Sequence, residues 1–346
     1  MKNILVTGAG SVLGQGILRC LHDIGNEYFI HTADPDYRST GHWLGDKAHI
    51  IKMAKNLDYL SSIEKILHTE KIDIIFIGTD TELPIFAENK VMLEEKYGLT
   101  ILVSNSNVIN IANDKFLTAN FLKSNNFYFP VSYMSYDTIG INKLKEESNY
   151  PYIAKPVDGA RSKGVELIND ENDLIRVSSF PNNLVIQEYI SDTEGEYTSG
   201  CLVFNKKCVS IVTLKRDLRD GNTYRAYYNE KYDIFNDYIG EVAEKLGVEG
   251  PCNFQFRIKN GLPVIFEINS RFSGTTPIRN IFGFNEVDAC VKYYLFNKVT
   301  FRSKLKPGVV MRAWADIFIE DHEINQLKVS SVLNKPSSIY YPFKSK

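Results

Sequence analysis

Hydrophobic and polar positions divide this chain into stretches with different periods. Residues 4–7 are an apolar run followed by glycines, and apolar positions then recur at helical spacing to about residue 24. A second run, 28–33, ends at Asp34. A third, 72–77, follows a helical pattern over about 57–69, and a fourth covers 99–103. Short apolar runs alternating with helical periods predict strands buried on both faces and joined by crossover helices. The first 104 residues are therefore expected to form a doubly wound parallel sheet.

Beyond that point the pattern changes. Residues 104–113 are rich in Asn and Ser and read as a boundary. A helix is expected over 114–123, with Phe116, Leu117, Phe121 and Leu122 on its apolar side and Lys115 in its first turn, where the helix dipole disfavours a cation. A strand over 150–157 carries Lys155 among apolar neighbours, and lysines are rarely buried without a partner. The loop 158–164, Asp-Gly-Ala-Arg-Ser-Lys-Gly, leads into another strand at 165–168. It lacks the spacing and following helix of a Walker A loop. A small-residue loop between antiparallel strands can donate backbone N–H groups to phosphates; an ordinary mobile hairpin fits the residues equally. The run 184–190 ends in Gln187-Glu188-Tyr189-Ile190, and Asp192, Glu194 and Glu196 follow before a strand at 197–204. Free backbone at such a strand end can pair with an adenine edge and a nearby carboxylate can take ribose hydroxyls; a plain acidic loop is the alternative.

The segment 251–271, PCNFQFRIKNGLPVIFEINSR, alternates with period two. Asn253, Gln255 and Arg257 share one face of its first strand, and Glu267, Asn269 and Arg271 recur in its second. Asn260-Gly261 signals a hairpin. A two-residue loop alone would set Gln255 opposite Phe266 and mix polar with apolar on one face, since a one-residue slip reverses every side chain. A three-residue loop or a bulge is therefore expected, setting Gln255 opposite Glu267 and Asn253 opposite Asn269. A carboxylate and amide oxygens in one cluster suit Mg²⁺, which takes its remaining ligands from water and phosphates. A wet amphipathic hairpin is the plainer reading.

Composition narrows the class. The formal net charge of the 346 residues is −2, which gives no electrostatic footprint for nucleic acid. The longest apolar runs are far too short to span a membrane, and Met1-Lys2-Asn3 leads straight into a strand, so no signal peptide is read and a cytoplasmic location is expected. Cys20, Cys201, Cys208, Cys252 and Cys290 lack metal or redox spacing and are expected to be reduced core residues. The six histidines form no zinc pattern. Gly8, Gly10 and Gly14 follow GxGxxxG spacing, and Asp34 stands where a ribose-binding acid would, so a nicotinamide-dependent oxidoreductase is one alternative. Glycines needed only for a tight turn and close packing are another. At the end of the third strand, Glu82 is a candidate to meet a substrate amine, and Asp80 a candidate helix cap. Lys215, Arg216 and the basic residues from Arg219 to Arg225 supply cations for an anionic substrate or a solvated face.

Taken in order, VTGAGSVLGQGI, NDKFLTANFL, YIAKPVDGARSKGV, VIQEYI and CNFQF…VIFEINSRFSG resemble the ATP-grasp superfamily, in particular single-unit relatives of the carbamoyl-phosphate synthase large chain and of amino-acid ligases. The resemblance covers roughly residues 1–300. It implies an α/β and α+β chain: a pre-ATP-grasp domain over 1–104, a small subdomain with the Gly-rich loop over 105–190, a large subdomain with the magnesium hairpin over 191–300, and a C-terminal extension over 301–346 with no assigned role. It further implies that Lys115 and Lys155 hold ATP phosphates under a loop containing Gly159, Ser162 and Gly164. Glu188, Tyr189 and Ile190 would meet adenine, and Glu196 the ribose, although Glu194 competes for that role because the hinge is slightly long. Gln255, Glu267 and Asn269 would hold Mg²⁺, with two ions bridged by Glu267 and Mn²⁺ able to substitute. Arg271, Lys155 and Arg225 would be the catalytic cations. Ser270 replaces a proline common at that position, a change expected to be harmless. The implied reaction is ATP-dependent joining of a small-molecule carboxylate to an amine through an acyl phosphate, without nucleic acid or membrane and with a homodimer as one option. A non-catalytic ATP-binding protein is the further alternative.

Overall fold

The computed structural model describes residues 1–25, 27–159, 163–179, 183–313 and 315–341. The N-terminal part runs β1 (Lys2–Thr7), α1 (Val12–His22), β2 (Tyr28–Asp34), β3 (Lys47–Ile50), α2 (Tyr59–Thr69), β4 (Ile74–Phe76), α3 (Leu83–Tyr97) and β5 (Thr100–Leu102). These strands are parallel in the order β3-β2-β1-β4-β5, the doubly wound arrangement expected. The alternation had not marked β3. Its Lys-Ala-His-Ile is only four residues long, and its polar His49 is buried by a contact with His31, 3.1 Å between ring nitrogens.

Most of the Asn- and Ser-rich stretch at 104–113, read above as a boundary, is helical. In α4 (Ser106–Asn113), the Asn105 side chain caps the N-terminus, and Val108, Ile109 and Ala112 are buried at helical spacing. Next come α5 (Lys115–Ser124), β6 (Ser132–Met134), α6 (Thr138–Glu147), β7 (Tyr152–Pro156), β8 (Glu166–Ile168), α7 (Glu171–Ser178) and β9 (Leu184–Glu188). They make an antiparallel sheet ordered β6-β9-β7-β8 with its own small core around Leu144, Tyr152 and Ile186.

A larger antiparallel sheet follows. Its strands include β10 (Glu196–Phe204), β11 (Lys207–Arg219), β12 (Asn222–Tyr228), β13 (Gly250–Lys259) and β14 (Leu262–Asn269), and α8 (Asn236–Leu246) connects β12 to β13. Helices α9 (Thr276–Phe282) and α10 (Glu286–Phe296) sit between it and the N-terminal sheet. One core joins the two layers: Ile4, Val6 and Leu18 cluster with Leu202, Leu214, Phe272 and Val287, all nearly without exposure. Each fully buried aliphatic side chain contributes about 1.5–3 kcal/mol. The chain then adds β15 (Gly308–Met311), β16 (Asp316–Phe318), α11 (Asp321–Ser330), β17 (Val332–Asn334) and β18 (Ile339–Tyr341). Residues 301–341 thus gain a structural place: β15 extends the large sheet beside β12, and β17 pairs antiparallel with β3. Among the described residues no helix is long and apolar enough to cross a membrane, and all five cysteines are free, four of them buried.

Candidate active site

The β13–β14 hairpin combines the two devices the alternation required. Its turn has two residues, Asn260 and Gly261, both left-handed at φ 55° and 76°, with Lys259 opposite Leu262. A bulge then follows, because Phe256 pairs with Ile265 and Gln255 with Glu267, leaving Phe266 as the extra residue. The bulge restores the register, so Asn253 faces Asn269 and Gln255 faces Glu267. Glu267 Oε1 accepts from Gln255 Nε2 at 3.0 Å and from Asn269 Nδ2 at 2.9 Å. Among the described residues Oε2 accepts no hydrogen bond. Asn253 plays a different part: its side chain is buried and accepts from Thr198 Oγ1 at 2.8 Å.

Across a cleft from this hairpin stand the two lysines. Asp114 caps α5, accepting from the N–H groups of Phe116 and Leu117 at 2.8 and 2.9 Å, and so fixes Lys115 in the first turn. Lys115 Nζ donates to Gly159 O at 2.6 Å, which ties it to the start of the glycine loop. Burial lowers its pKa, against the pull of Glu267. Lys155 projects from β7 with 6% of its surface exposed. Burial pushes its pKa down to about 8, with Glu267 opposing the shift and Lys115 adding to it. Its Nζ lies 5.4 Å from the Phe266 ring centroid and makes no hydrogen bond among the described residues. The glycine loop joins the antiparallel strands β7 and β8 as expected. Gly159 borders the cleft and Gly164 has φ 73°, while Ser162 lies outside the described residues.

The other end of the cleft is formed by β9 and the start of β10. Glu188 N–H donates to Val131 O at 2.8 Å, and the Glu188 carboxylate pairs with Lys259. No hydrogen bond from the Ile190 N–H is found among the described residues, whereas Ile190 O accepts from Arg257 Nη1 at 2.8 Å. Glu196 sits between two guanidiniums: Arg216 Nη2 reaches Oε1 at 2.6 Å, and Arg257 Nη2 reaches Oε2 at 2.8 Å. Arg216 Nη2 also donates to Gln255 Oε1 at 2.5 Å, linking this end to the hairpin. Glu194 is exposed and outside the cleft lining. The cleft has a volume of about 220 Å³.

Of the predicted residues that the structure describes, all line the cleft except Gly164, Arg225, Asn269 and Arg271. Arg225 lies on β12, exposed and 3.8 Å from Asp217, on the face away from Arg216 and the cleft lining. Asn269 and Arg271 lie just beyond the cleft lining, at the hairpin's N-terminal-domain end. Arg271 donates to Asp80 through Nε at 2.6 Å and Nη2 at 3.1 Å, to Asn269 Oδ1 at 2.8 Å and to Phe272 O at 3.0 Å. Burial opposes its charge, but Asp80 outweighs that and raises its pKa. Asp80 therefore serves Arg271; the residue before α3 is Glu82, whose side chain makes no cap bond. Glu82 is buried, with Thr7, Tyr59 and Thr79 hydroxyls donating to it at 3.1, 2.7 and 2.8 Å, and burial raises its pKa. Ser270, standing in place of the proline, uses the hydroxyl a proline would lack, since its Oγ meets Ser104 Oγ at 2.8 Å.

The glycine loop after β1 is filled by the chain itself. Asp34 accepts from Gly10 N–H at 2.8 Å and from Ser39 Oγ at 2.6 Å. A Cβ on Gly10 would fall 2.3 Å from Ser39 Oγ, and one on Gly41 would fall 2.0 Å from Ala9 O. The space and the carboxylate a dinucleotide would use are both occupied, and the glycines serve close packing. Arg257 and Phe266 are among the cleft residues that sequence reasoning gave no role. Arg257 was visible only as a member of the polar alternation, and Arg216 only as one of several basic residues that fitted an anionic substrate or a solvated face.

Comparison with known proteins fits this geometry. A family profile described as an ATP-grasp domain matches residues 112–275. The carbamoyl phosphate synthase large chain of Methanocorpusculum labreanum is 22% identical over 369 residues, 96% of this chain and 32% of that one. The arginine-specific large chain of Bacillus subtilis is 21% identical over 80% of this chain and 28% of its own length. The chain therefore spans about a third of the length of these curated relatives. In fold it is similar to an N5-carboxyaminoimidazole ribonucleotide synthetase solved with ADP, at TM-score 0.72 and 14% identity over 94% of this chain and 84% of that one. It is also similar to the L-amino acid ligase of Bacillus licheniformis, at TM-score 0.67 and 17% identity over 92% and 80%. Residues 112–275 of this chain accordingly match an ATP-grasp domain, and the likeness to carbamoyl phosphate synthase large chains runs past that match at both ends.

Proposed function

We propose that this chain is an ATP-dependent carboxylate–amine ligase. The observation that carries the reading is one cleft with two buried lysines on one wall and Gln255 and Glu267 on the other, with Asn269 bonded to Glu267 just beyond its edge. The cations are placed to receive phosphates, with Lys115 tied to the glycine loop. The backbone at 188–190 would receive adenine, and Glu196, fixed by two arginines, would receive the ribose. The cluster has the chemistry for a hard cation: among the described residues Glu267 keeps one oxygen unbonded, and an amide can present oxygen as readily as N–H. Gln255, Glu267 and Asn269 would hold Mg²⁺, which supplies charge neutralisation for phosphoryl transfer.

In the proposed reaction a substrate carboxylate oxygen attacks the γ-phosphorus, ADP leaves, and an acyl phosphate forms. An amine then adds to its carbonyl carbon, loses a proton and expels inorganic phosphate, leaving an amide. Lys155 and Arg271 act by position and charge, since phosphoryl transfer needs little covalent help from protein. The test is phosphate release from ATP and Mg²⁺, screened over pooled amino acids and sugar acids with and without ammonia. Release requiring one carboxylate and one amine together is expected. Release that needs neither would overturn the ligase reading.

A further inference from the structure

Arg312 has no role in the site described so far. It follows β15, where its backbone N–H continues the ladder to Tyr224 O at 3.0 Å. Its side chain reaches the loop after the carboxylate hairpin and donates through Nη2 to Gly274 O. Among the described residues the Nε is closed off and has no acceptor. Among the described residues no carboxylate pairs with Arg312. The charged neighbour that acts on it is another cation, Arg19 of α1, and burial lowers its pKa in the same direction. Other arginines around this core are paired: Arg271 with Asp80, Arg279 with Glu286, Arg216 and Arg257 with Glu196. A largely buried guanidinium without a counter-charge, beside a second cation, is costly to the folded chain.

Its place gives that cost a use. Arg271 donates to Phe272 O, and Arg312 to Gly274 O. Two peptide units separate these carbonyls, so at most about 7 Å lies between them. Gly274 leaves a methyl-sized space beside the guanidinium, since an added Cβ would stand 3.8 Å from Nη2 and 3.5 Å from Val12 Cγ1.

We infer that Arg312 binds an oxyanion carried by the small-molecule substrate, separate from the carboxylate that would attack the γ-phosphorus. The inference rests on the ligase reading only in taking the ligand to be its substrate; anion binding itself requires no turnover. The planar guanidinium fork matches a carboxylate or a phosphate.

Calorimetric titration of the full chain with succinate, L-glutamate and glycerol 3-phosphate, with and without saturating Mg·ADP, tests it. For at least one probe, Arg312→Gln is expected to weaken binding about 10-fold or more, roughly 1.4 kcal/mol. Arg312→Lys, which keeps the charge but loses the fork, should fall between. Loss confined to the carboxylates, or to the phosphate, names the source of the anion. ADP affinity is expected to stay unchanged in both variants, and this reports that the chain is folded; if Arg312→Gln does not fold, Arg312→Lys decides. Equal affinity in wild type and variant, or no probe bound by the wild type at millimolar concentration, overturns the inference. Anion binding that depends on Arg312 in a protein that never releases phosphate would leave the subsite standing and sink the ligase reading instead.

Discussion

Lys155 is a cation kept where a cation is expensive, and its pH behaviour follows. Its pKa of about 8 lies below the ordinary 10.5, so between those values the unfolded chain binds the extra proton and ligand-free stability rises with pH. Phosphates favour the charged form. Nucleotide binding above about pH 8 should therefore take up a proton, measurable as a dependence of calorimetric heat on buffer ionisation enthalpy. Lys155→Met should bind more weakly and show no such dependence. Glu267→Ala should abolish phosphate release while leaving the melting temperature nearly unchanged, and an active variant would falsify the assignment. Asp80→Asn should lower kcat by about 10- to 100-fold through misplacement of Arg271, with ADP affinity kept; an unchanged kcat would show that Arg271 is positioned without it. The lysines and Glu267 were legible because each interrupts an apolar pattern. The Asp80–Arg271 pair was not, because 191 residues separate its members. Nor was the choice between Arg216 and Arg225, which depends on which face of β11 and β12 lines the cleft and on a bulge near Asp217.

At the scale of elements, the β13–β14 hairpin shows what a pattern can and cannot decide. The conflict between the Asn-Gly turn and the polar alternation implied either a longer loop or a bulge. The bulge resolves it and brings Phe266 beside Lys155 while Glu267 keeps its register. Deleting Phe266 should leave a regular ladder in which Gln255 still faces Glu267 and Asn253 still faces Asn269. Magnesium-dependent nucleotide binding should then persist with the hairpin intact, which titration calorimetry and circular dichroism would check together; binding lost from a folded hairpin would show that the cluster needs the bulge. The helix at 106–113 and the strand β3 escaped notice for related reasons. Both are short, both carry polar residues, and both owe their stability to neighbours far away in sequence. The parallel sheet, in contrast, was legible because strands buried on both faces need unbroken apolar runs.

The molecule as a whole is held together less evenly than its sequence order suggests. The N-terminal sheet and the large antiparallel sheet share one core, and Ser104 and Ser270 join them at the edge of the site. No periodicity foretold that residues 301–341 would place one strand in each of these sheets. Amide exchange should accordingly be slowest in β1 and β13 and faster in β7 and β8, and ADP with Mg²⁺ should slow β7 and β8 most. Uniform protection would contradict this division. The C-terminal stretch acts as a strap with both ends fastened, and a strap removes degrees of freedom. Sliding or opening the two large layers would mean peeling β15 from β12 or β17 from β3. The four-stranded sheet carries no such fastening: it is reached through the connections at 125–131 and 189–195. On the proposed function the cleft would be a vice with one fixed jaw, and the travel needed to grip a nucleotide would fall to the part that bears Lys155.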